Sequence, residues 1–221
     1  MRAHVRAVQI KWTKDCMHII AAIEGEAALA GTTSGSVTLN NPLGGIAVLK
    51  FTGKVADDTA AAFKFYDFKD YVTANSAAML ADGVRWCMRP DTKGIWDKNQ
   101  AGATVADDMA TFERDLEPEY LALSSDGKTV YVALQENNAI ATFDLETNKF
   151  TNVKALAAKD WSKTDDGLDA SNKDDQINMV KWNIFGMLMP DTIDIYKAAD
   201  GKEYIVTANE GDDKVTSWQS E

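Results

Sequence analysis

The sequence has few of the residues that most enzyme and disulfide motifs require. Its 221 residues include two cysteines, two histidines and four prolines. Cys16 and Cys87 lie in no Cys-x-x-Cys motif, and two cysteines make no disulfide framework, so one bridge and two separate thiols both fit the sequence. His4 and His18 are too few for a histidine-based zinc or phosphoryl-transfer site.

Long apolar runs and common catalytic motifs are also missing. The longest uncharged apolar stretches, such as 19–23, are too short to cross a bilayer. The first 15 residues lack the apolar segment of a signal peptide. The chain has no Asn-x-Ser/Thr sequon, nucleophile elbow, phosphate-binding loop or dinucleotide fingerprint. We therefore predict no membrane span, no organic cofactor and no identifiable catalytic residue.

Positive charge is scarce. The chain has 23 Lys and Arg against 34 Asp and Glu, a net charge of −11, which argues against binding to a nucleic-acid backbone. Residues 1–55 carry six basic and three acidic side chains, a net charge of +3, which leaves −14 for the remainder. The acidic surface therefore lies after residue 55. It permits cation binding, although such surfaces often serve solubility alone.

Short β-branched and aromatic runs, separated by Gly, Asn and Asp turns, recur in three copies. The copies span 6–51, 120–150 and 193–218. The clearest copy predicts four strands, at 120–123, 129–134, 139–144 and from Phe150. Four antiparallel strands make one propeller blade. The sequence therefore predicts an all-β fold, a β-propeller with blades of the YVTN or WD40 type.

The copies are separated by three predicted insertions, at 27–43, 56–115 and 155–185. The first is rich in Ala, Gly, Ser and Thr and is predicted to be a loop. Part of the last, 159–180, is acidic without EF-hand spacing, so a solvated loop is favoured.

A short inserted helix is predicted at Asp70–Ala81. Val72, Ala77 and Leu80 would face inward, and Gly83 would follow the end.

The order of strands suggests an incomplete propeller. The chain begins at a first strand and stops after a third strand, and a propeller closes only when every blade is complete. We expect residues 1–221 to be one partial propeller. Its partner would be another protein chain or the missing part of its own propeller.

Several motifs resemble one family. The block DLEPEYLALSSDGKTVYVALQENN at 115–138, with the segments 167–178, 186–191 and 206–212, is similar to the bacterial choice-of-anchor propeller proteins and the mesenchyme-specific cell-surface glycoproteins of biomineralising animals. The resemblance implies a β-propeller, an extracellular or cell-surface location, and a role in matrix, wall, adhesion or biomineral assembly. Some members are described as phosphatase-like or phytase-like. The chain departs from the family pattern at Ile23, where the family has Asn.

Acidic side chains recur at one turn of each copy and after the proline at two blade entrances. They are Glu24, Glu26, Glu119, Glu136, Asp191, Glu210 and Asp212. An alignment of second strands places Glu24, Glu136 and Glu210 at one position, so rotation about a propeller axis would gather them at one mouth. Ca²⁺ takes about six to eight oxygen ligands, so the pattern predicts a Ca²⁺ site. Because turns favour Asp and Asn in any case, solvated turns are the other interpretation.

Three functions remain open at this point. The first is a Ca²⁺-associated protein of the cell surface. The second is a metal-dependent phosphoester hydrolase, which would need no histidine. The third is a ligand-free scaffold subunit of a larger assembly.

Overall fold

The computed structural model describes residues 4–31, 37–53, 61–89, 111–163 and 167–211. Within these ranges, fourteen strands form two antiparallel sheets of four strands and three of two strands. Two short helices accompany them. The all-β prediction is therefore confirmed.

The first sheet consists of β1 (His4–Trp12), β2 (His18–Glu26), β5 (Gly45–Lys50) and β6 (Ala62–Asp67), in that order. Between β2 and β5 the chain forms a separate hairpin of β3 (Ala28–Gly31) and β4 (Val37–Asn40). The prediction of a loop at 27–43 was therefore wrong. The predicted insertion 56–115 also starts too early in the sequence. It includes β6, which is the fourth strand of the first sheet.

The second sheet is the clearest copy of the repeat. It consists of β7 (Pro118–Leu123), β8 (Thr129–Leu134), β9 (Ala139–Asp144) and β10 (Lys149–Ala155), each paired with the next. Gly127, Asn138 and Asn148 make the connecting turns with positive φ, a conformation that Gly and Asn tolerate best. These turns let successive β-branched runs fold back into a meander.

The third copy is described through two strands, β13 (Pro190–Lys197) and β14 (Glu203–Asn209). The predicted strand at 214–218 lies outside the described residues. Within the predicted insertion 155–185, β11 (Ala158–Asp160) begins a small ladder with β12 (Phe185–Met187). An isolated bridge joins Leu168 to Val180.

Helix α1 (Lys69–Asp82) confirms the predicted helix and extends it by one residue at each end. Gly83 caps it in the left-handed region with φ 101°, as predicted. Val72 and Met79 are the buried side chains, so the expectation that Ala77 faces inward was wrong. A short helix, α2 (Phe112–Asp115), precedes β7. No helix in the described ranges is long and apolar enough to cross a membrane.

The three main sheets lie in succession, and the middle one is covered on both faces. Strand alternation sends Leu121 and Val132 into a core shared with Ile20 and Ile46 of the first sheet. On the opposite face, Ala122, Ala133 and Ile140 pack against Ile193 of β13. Helix α1 adds Val72 and Met79 to the larger core.

The first strands of the three copies adjoin one another, since β7 contacts both β1 and β13. The Leu121 backbone N–H donates to the Gln9 side-chain oxygen, and Lys11 lies 5.7 Å from the Tyr120 ring centroid. This succession resembles neighbouring blades that share an inner edge. The closed propeller stays a prediction.

Candidate cation site

Two of the predicted acids lie near the starts of neighbouring first strands. Glu119 follows Pro118 in β7, and Asp191 follows Pro190 in β13. Proline is tolerated at the start of a strand, where its missing N–H costs least. Because β7 and β13 contact each other, the fold brings these two carboxylates to the same end of the stack.

Glu24 lies on β2 and is almost fully buried. Its Oε2 accepts a hydrogen bond of 2.6 Å from Nε of Arg6, the residue opposite it on β1. This bond and the charge of Glu24 raise the pKa of the Arg6 guanidinium. Glu24 is therefore already compensated by a cation of the chain. Glu26 ends the same strand.

The strand register changes which residues of the second and third copies occupy equivalent positions. Pro118 is opposite Leu134 in the second sheet, and Pro190 is opposite Asn209 in the third. The equivalent next residues are therefore Gln135 and Glu210, and Glu136 lies one residue further along the turn.

Gln135 Nε2 also donates to Glu210 Oε2 at 3.1 Å, so the side chains at these two positions meet. The alignment of Glu136 with Glu210 was wrong by one residue.

The carboxyl group of Glu119 is affected by the charges of several other acidic residues. Its pKa is raised from 4.5 to about 8, chiefly by burial and then by the negative charges of Glu136, Glu24, Asp191 and Glu117, in that order. At neutral pH this carboxyl therefore holds a proton for most of the time. The structure thus brings three of the other predicted acids, Glu24, Glu136 and Asp191, within electrostatic reach of Glu119.

The turn at 135–138 is polar yet buried. Asn138 Oδ1 accepts the backbone N–H groups of Leu188 and Met189, at 3.1 and 2.9 Å. Its Nδ2 donates to the Leu156 carbonyl at 3.0 Å. These bonds occupy the amide oxygen that a cation would need, so Asn138 ties the turn to the next segment.

Two buried acids near the site were not predicted as site residues. Glu117 contributes to the raised pKa of Glu119. Asp115 accepts the N–H groups of Cys87 and Met88 at 2.7 and 2.9 Å, and Nδ2 of Asn137 at 3.0 Å. The sequence could have indicated them, because an acid stands at every second position in 115–119. Alternate residues of an extended chain share a face.

The arrangement offers negative charge without a formed ion cage. In the part of the chain that the structure describes, no three carboxylate, histidine or cysteine side chains are placed to hold a metal ion. Asp212 lies outside the described residues. Cys16 and Cys87 form no disulfide with each other. The site as it stands can hold a proton on Glu119, and a cation would have to draw neighbouring carboxylates toward it.

Comparison with known proteins adds one finding. A family model described as the choice-of-anchor I domain matches residues 4–221. A search of curated proteins finds no match. The family match covers all three copies of the strand repeat and the acidic residues near Glu119.

Proposed function

This chain belongs to the choice-of-anchor I domain family, and from that premise we propose that it is an extracellular, Ca²⁺-associated β-propeller protein of matrix, wall, adhesion or biomineral assembly. Membership of the family indicates association with the cell surface. The observation that supports the calcium role is the pKa of Glu119, which burial and, after it, neighbouring carboxylates raise to about 8.

The physical reason is electrostatic. Carboxylates that lie close together in a partly buried place repel one another, so protons or a cation must offset their charge. Arg6 already offsets Glu24, whereas Glu119 has three further acids around it. A hard divalent cation would replace the proton on Glu119 and take oxygen ligands from Glu119, Glu136 and Asp191.

The expected affinity is that of an extracellular module, with a Kd of about 0.1–1 mM. At about 5 mM Ca²⁺, a Kd of about 0.5 mM would stabilise the native state by about 1.4 kcal/mol. For a chain of this size that raises Tm by about 3–5 °C.

The test is thermal denaturation in Ca²⁺ and in chelator at pH 7.5. The double variant Glu119→Gln/Asp191→Asn should lose the Tm difference. The matched variant Asp174→Asn/Asp175→Asn, in the exposed acidic loop, should keep it. Equal Tm values for the wild-type chain in Ca²⁺ and chelator would show that the acidic group is not a calcium site. The phosphoester hydrolase and ligand-free scaffold alternatives gain no specific support from the described residues.

A further inference from the structure

A crevice between the first two sheets holds a cavity of about 420 Å³. Strand β6 and the first two turns of α1 line one side, and the end of β9, the start of β10 and the turn between them line the other. We call this cavity, which is lined by side chains within 65–75 and 143–150, the crevice site. Its volume lies in the range of about 300–1,000 Å³ that sites for small ligands have.

The crevice site is separate from the candidate cation site. The turn between β9 and β10 lies at the opposite end of the second sheet from Glu119. None of the described residues that line the cavity is an acid of the candidate cation site. A ligand in the crevice site would therefore bind independently of calcium.

The buried part of the lining is aromatic and closely packed. Phe143 and Phe150 are buried and meet edge to face, with ring centroids 5.1 Å apart. Tyr66 lies against Phe143 at 5.2 Å, and Phe68 stacks on Phe150 at 3.9 Å. Packing therefore holds the aromatic part of the site in place before a ligand arrives.

Two tyrosine hydroxyls join the sides of the crevice. The Tyr66 hydroxyl donates to Asn148 Oδ1 at 3.0 Å, from β6 to the turn after β9. The Tyr71 hydroxyl accepts the backbone N–H of Val153 at 3.1 Å, so its own O–H remains able to donate. Both tyrosine rings are half-buried, which leaves part of each ring open to a ligand.

Polar groups of both hydrogen-bonding kinds line the more exposed part of the cavity. Asp67 and Asp70 supply carboxylate oxygens; Asp67 Oδ1 accepts a backbone N–H of α1 at 2.9 Å, and its Oδ2 remains available. Asn75 Nδ2 donates to the Tyr71 carbonyl at 2.9 Å, which leaves its Oδ1 as an acceptor. On the other side, the exposed ammonium of Lys149 is a donor.

We propose that the crevice site binds a neutral saccharide, with the C–H face of one pyranose ring against the aromatic lining and its hydroxyls on the polar groups. A sugar hydroxyl both donates and accepts hydrogen bonds, so it can use the carboxylates as acceptors and Tyr71 and Lys149 as donors. The C–H groups of the ring carry slight positive charge and pack on the negative faces of aromatic rings. This site and its ligand are additional to the proposed calcium role.

The charges of the crevice site argue against two other classes of ligand. Two carboxylates and one ammonium give it a net negative charge, which disfavours a phosphorylated or sulfated ligand. An organic cation would pair with the carboxylates, but it would lie beside the Lys149 ammonium and offer no acceptor to the Tyr71 hydroxyl. A neutral ligand with several hydroxyls uses every one of these groups.

The first test is a glycan array of neutral, sulfated and sialylated oligosaccharides, with a choline-coated surface as the cationic probe. The wild-type chain should bind at least one neutral glycan. Binding to none of them would overturn the saccharide as the ligand. Binding to the charged glycans alone, or to choline alone, would overturn the neutral class.

The second test locates the ligand. The variant Asp70→Ala/Lys149→Ala removes one acceptor and one donor from exposed positions and leaves the aromatic lining intact. It should raise the Kd for the bound glycan, measured by isothermal titration calorimetry, at least about 10-fold. The matched variant Lys173→Ala/Asp174→Ala makes the same charge changes in the exposed acidic loop and should keep the wild-type affinity. An unchanged Kd for the first variant would show that the ligand binds elsewhere.

Saturation-transfer NMR tests the aromatic contact without any variant. Irradiation of the aromatic protons of the protein should transfer saturation chiefly to the C–H protons on one face of a sugar ring, and uniform transfer would contradict the proposed pose. All measurements are made in Ca²⁺ and in chelator, and equal affinity is expected. Loss of glycan binding in chelator would overturn the crevice site as its location, whereas failure of the calcium site alone leaves these results unchanged.

Discussion

Replacing Glu119 with glutamine keeps the shape of the side chain and removes its ionisation. The folded protein holds a proton on this carboxyl up to about pH 8, whereas an unfolded chain releases it near pH 4.5. The stability linked to this proton is complete below pH 4.5 and is lost as the pH rises through 8. The wild-type chain therefore becomes less stable over that range, and the Glu119→Gln variant escapes this loss.

The size of the effect follows from the two pKa values. Their difference corresponds to at most about 5 kcal/mol. Glu119 is only partly buried, and solvent screening reduces the effect, so we expect about 2 kcal/mol at pH 9. In a chain of this length that raises the Tm of the variant above wild type by about 4–8 °C. At pH 5 the difference should fall below about 0.5 kcal/mol.

The assay is thermal unfolding followed by far-ultraviolet circular dichroism at pH 5 and pH 9, in chelator. Glu203→Gln is the opposite control, because hydrogen bonds from Ser125 lower the pKa of Glu203. That variant should be no more stable than wild type at pH 9. A Glu119→Gln difference of equal size at both pH values would show that the pKa of Glu119 is not raised in the folded protein, which would remove the electrostatic argument for the candidate site.

Three further substitutions test the packing around the site. In urea unfolding, Gly44→Ala should destabilise the fold by about 2 kcal/mol or more, since a Cβ there would lie 2.5 Å from the Leu116 carbonyl oxygen. The control Gly53→Ala should be nearly neutral in the same assay, because nothing lies within 4 Å of a Cβ at that position. Asp115→Ala should cost about 2–4 kcal/mol by the same assay because it leaves buried donors unsatisfied, and a neutral result would contradict that network. Phe68→Ala should cost about 3–5 kcal/mol, since this fully buried ring stacks on Phe150; a loss below 1 kcal/mol would contradict the shared core.

The local elements were the predictable part of the fold. Strands β8 and β9 match their predictions because alternating apolar residues are bounded by strong turn residues on both sides. Helix α1 was found because Gly83 marks its end. Strand β6 was missed because alanines, which have low β-propensity, stand directly before it and at its first position. Its place is set by pairing with β5, a contact that local sequence does not encode.

The sequence predicted which acidic residues lie near Glu119, but it did not predict correctly which of them occupy equivalent positions in the strand copies. Each of the three sheets has one extra residue in its first strand, between Ala7 and Gln9, Pro118 and Leu121, and Pro190 and Thr192. Such bulges change which residues lie opposite one another.

Because all three sheets share such a bulge, the misalignment of Glu136 with Glu210 has another source, the hairpin of the first two strands. The Ser124 N–H donates to the Thr129 carbonyl in the second sheet, whereas the Ala198 N–H donates to the Lys202 carbonyl in the third, so the third turn is one residue shorter. Between the starting proline and this closing pair, each strand of the third hairpin is two residues longer. Alignment on the Asp-Gly turn therefore misses the equivalent position by one residue.

The side chain of Asn138 has a consequence for how this chain tolerates change. Its amide holds the Leu156 carbonyl where the chain leaves the second sheet, and the N–H groups of Leu188 and Met189 where the chain returns. The intervening thirty or so residues are therefore a loop closed at its base by one residue. Doubling the length of such a loop costs only about 0.6 kcal/mol. Relatives can therefore vary this excursion widely in length and composition, or carry a new binding segment on it, while the sheets on either side keep their alignment.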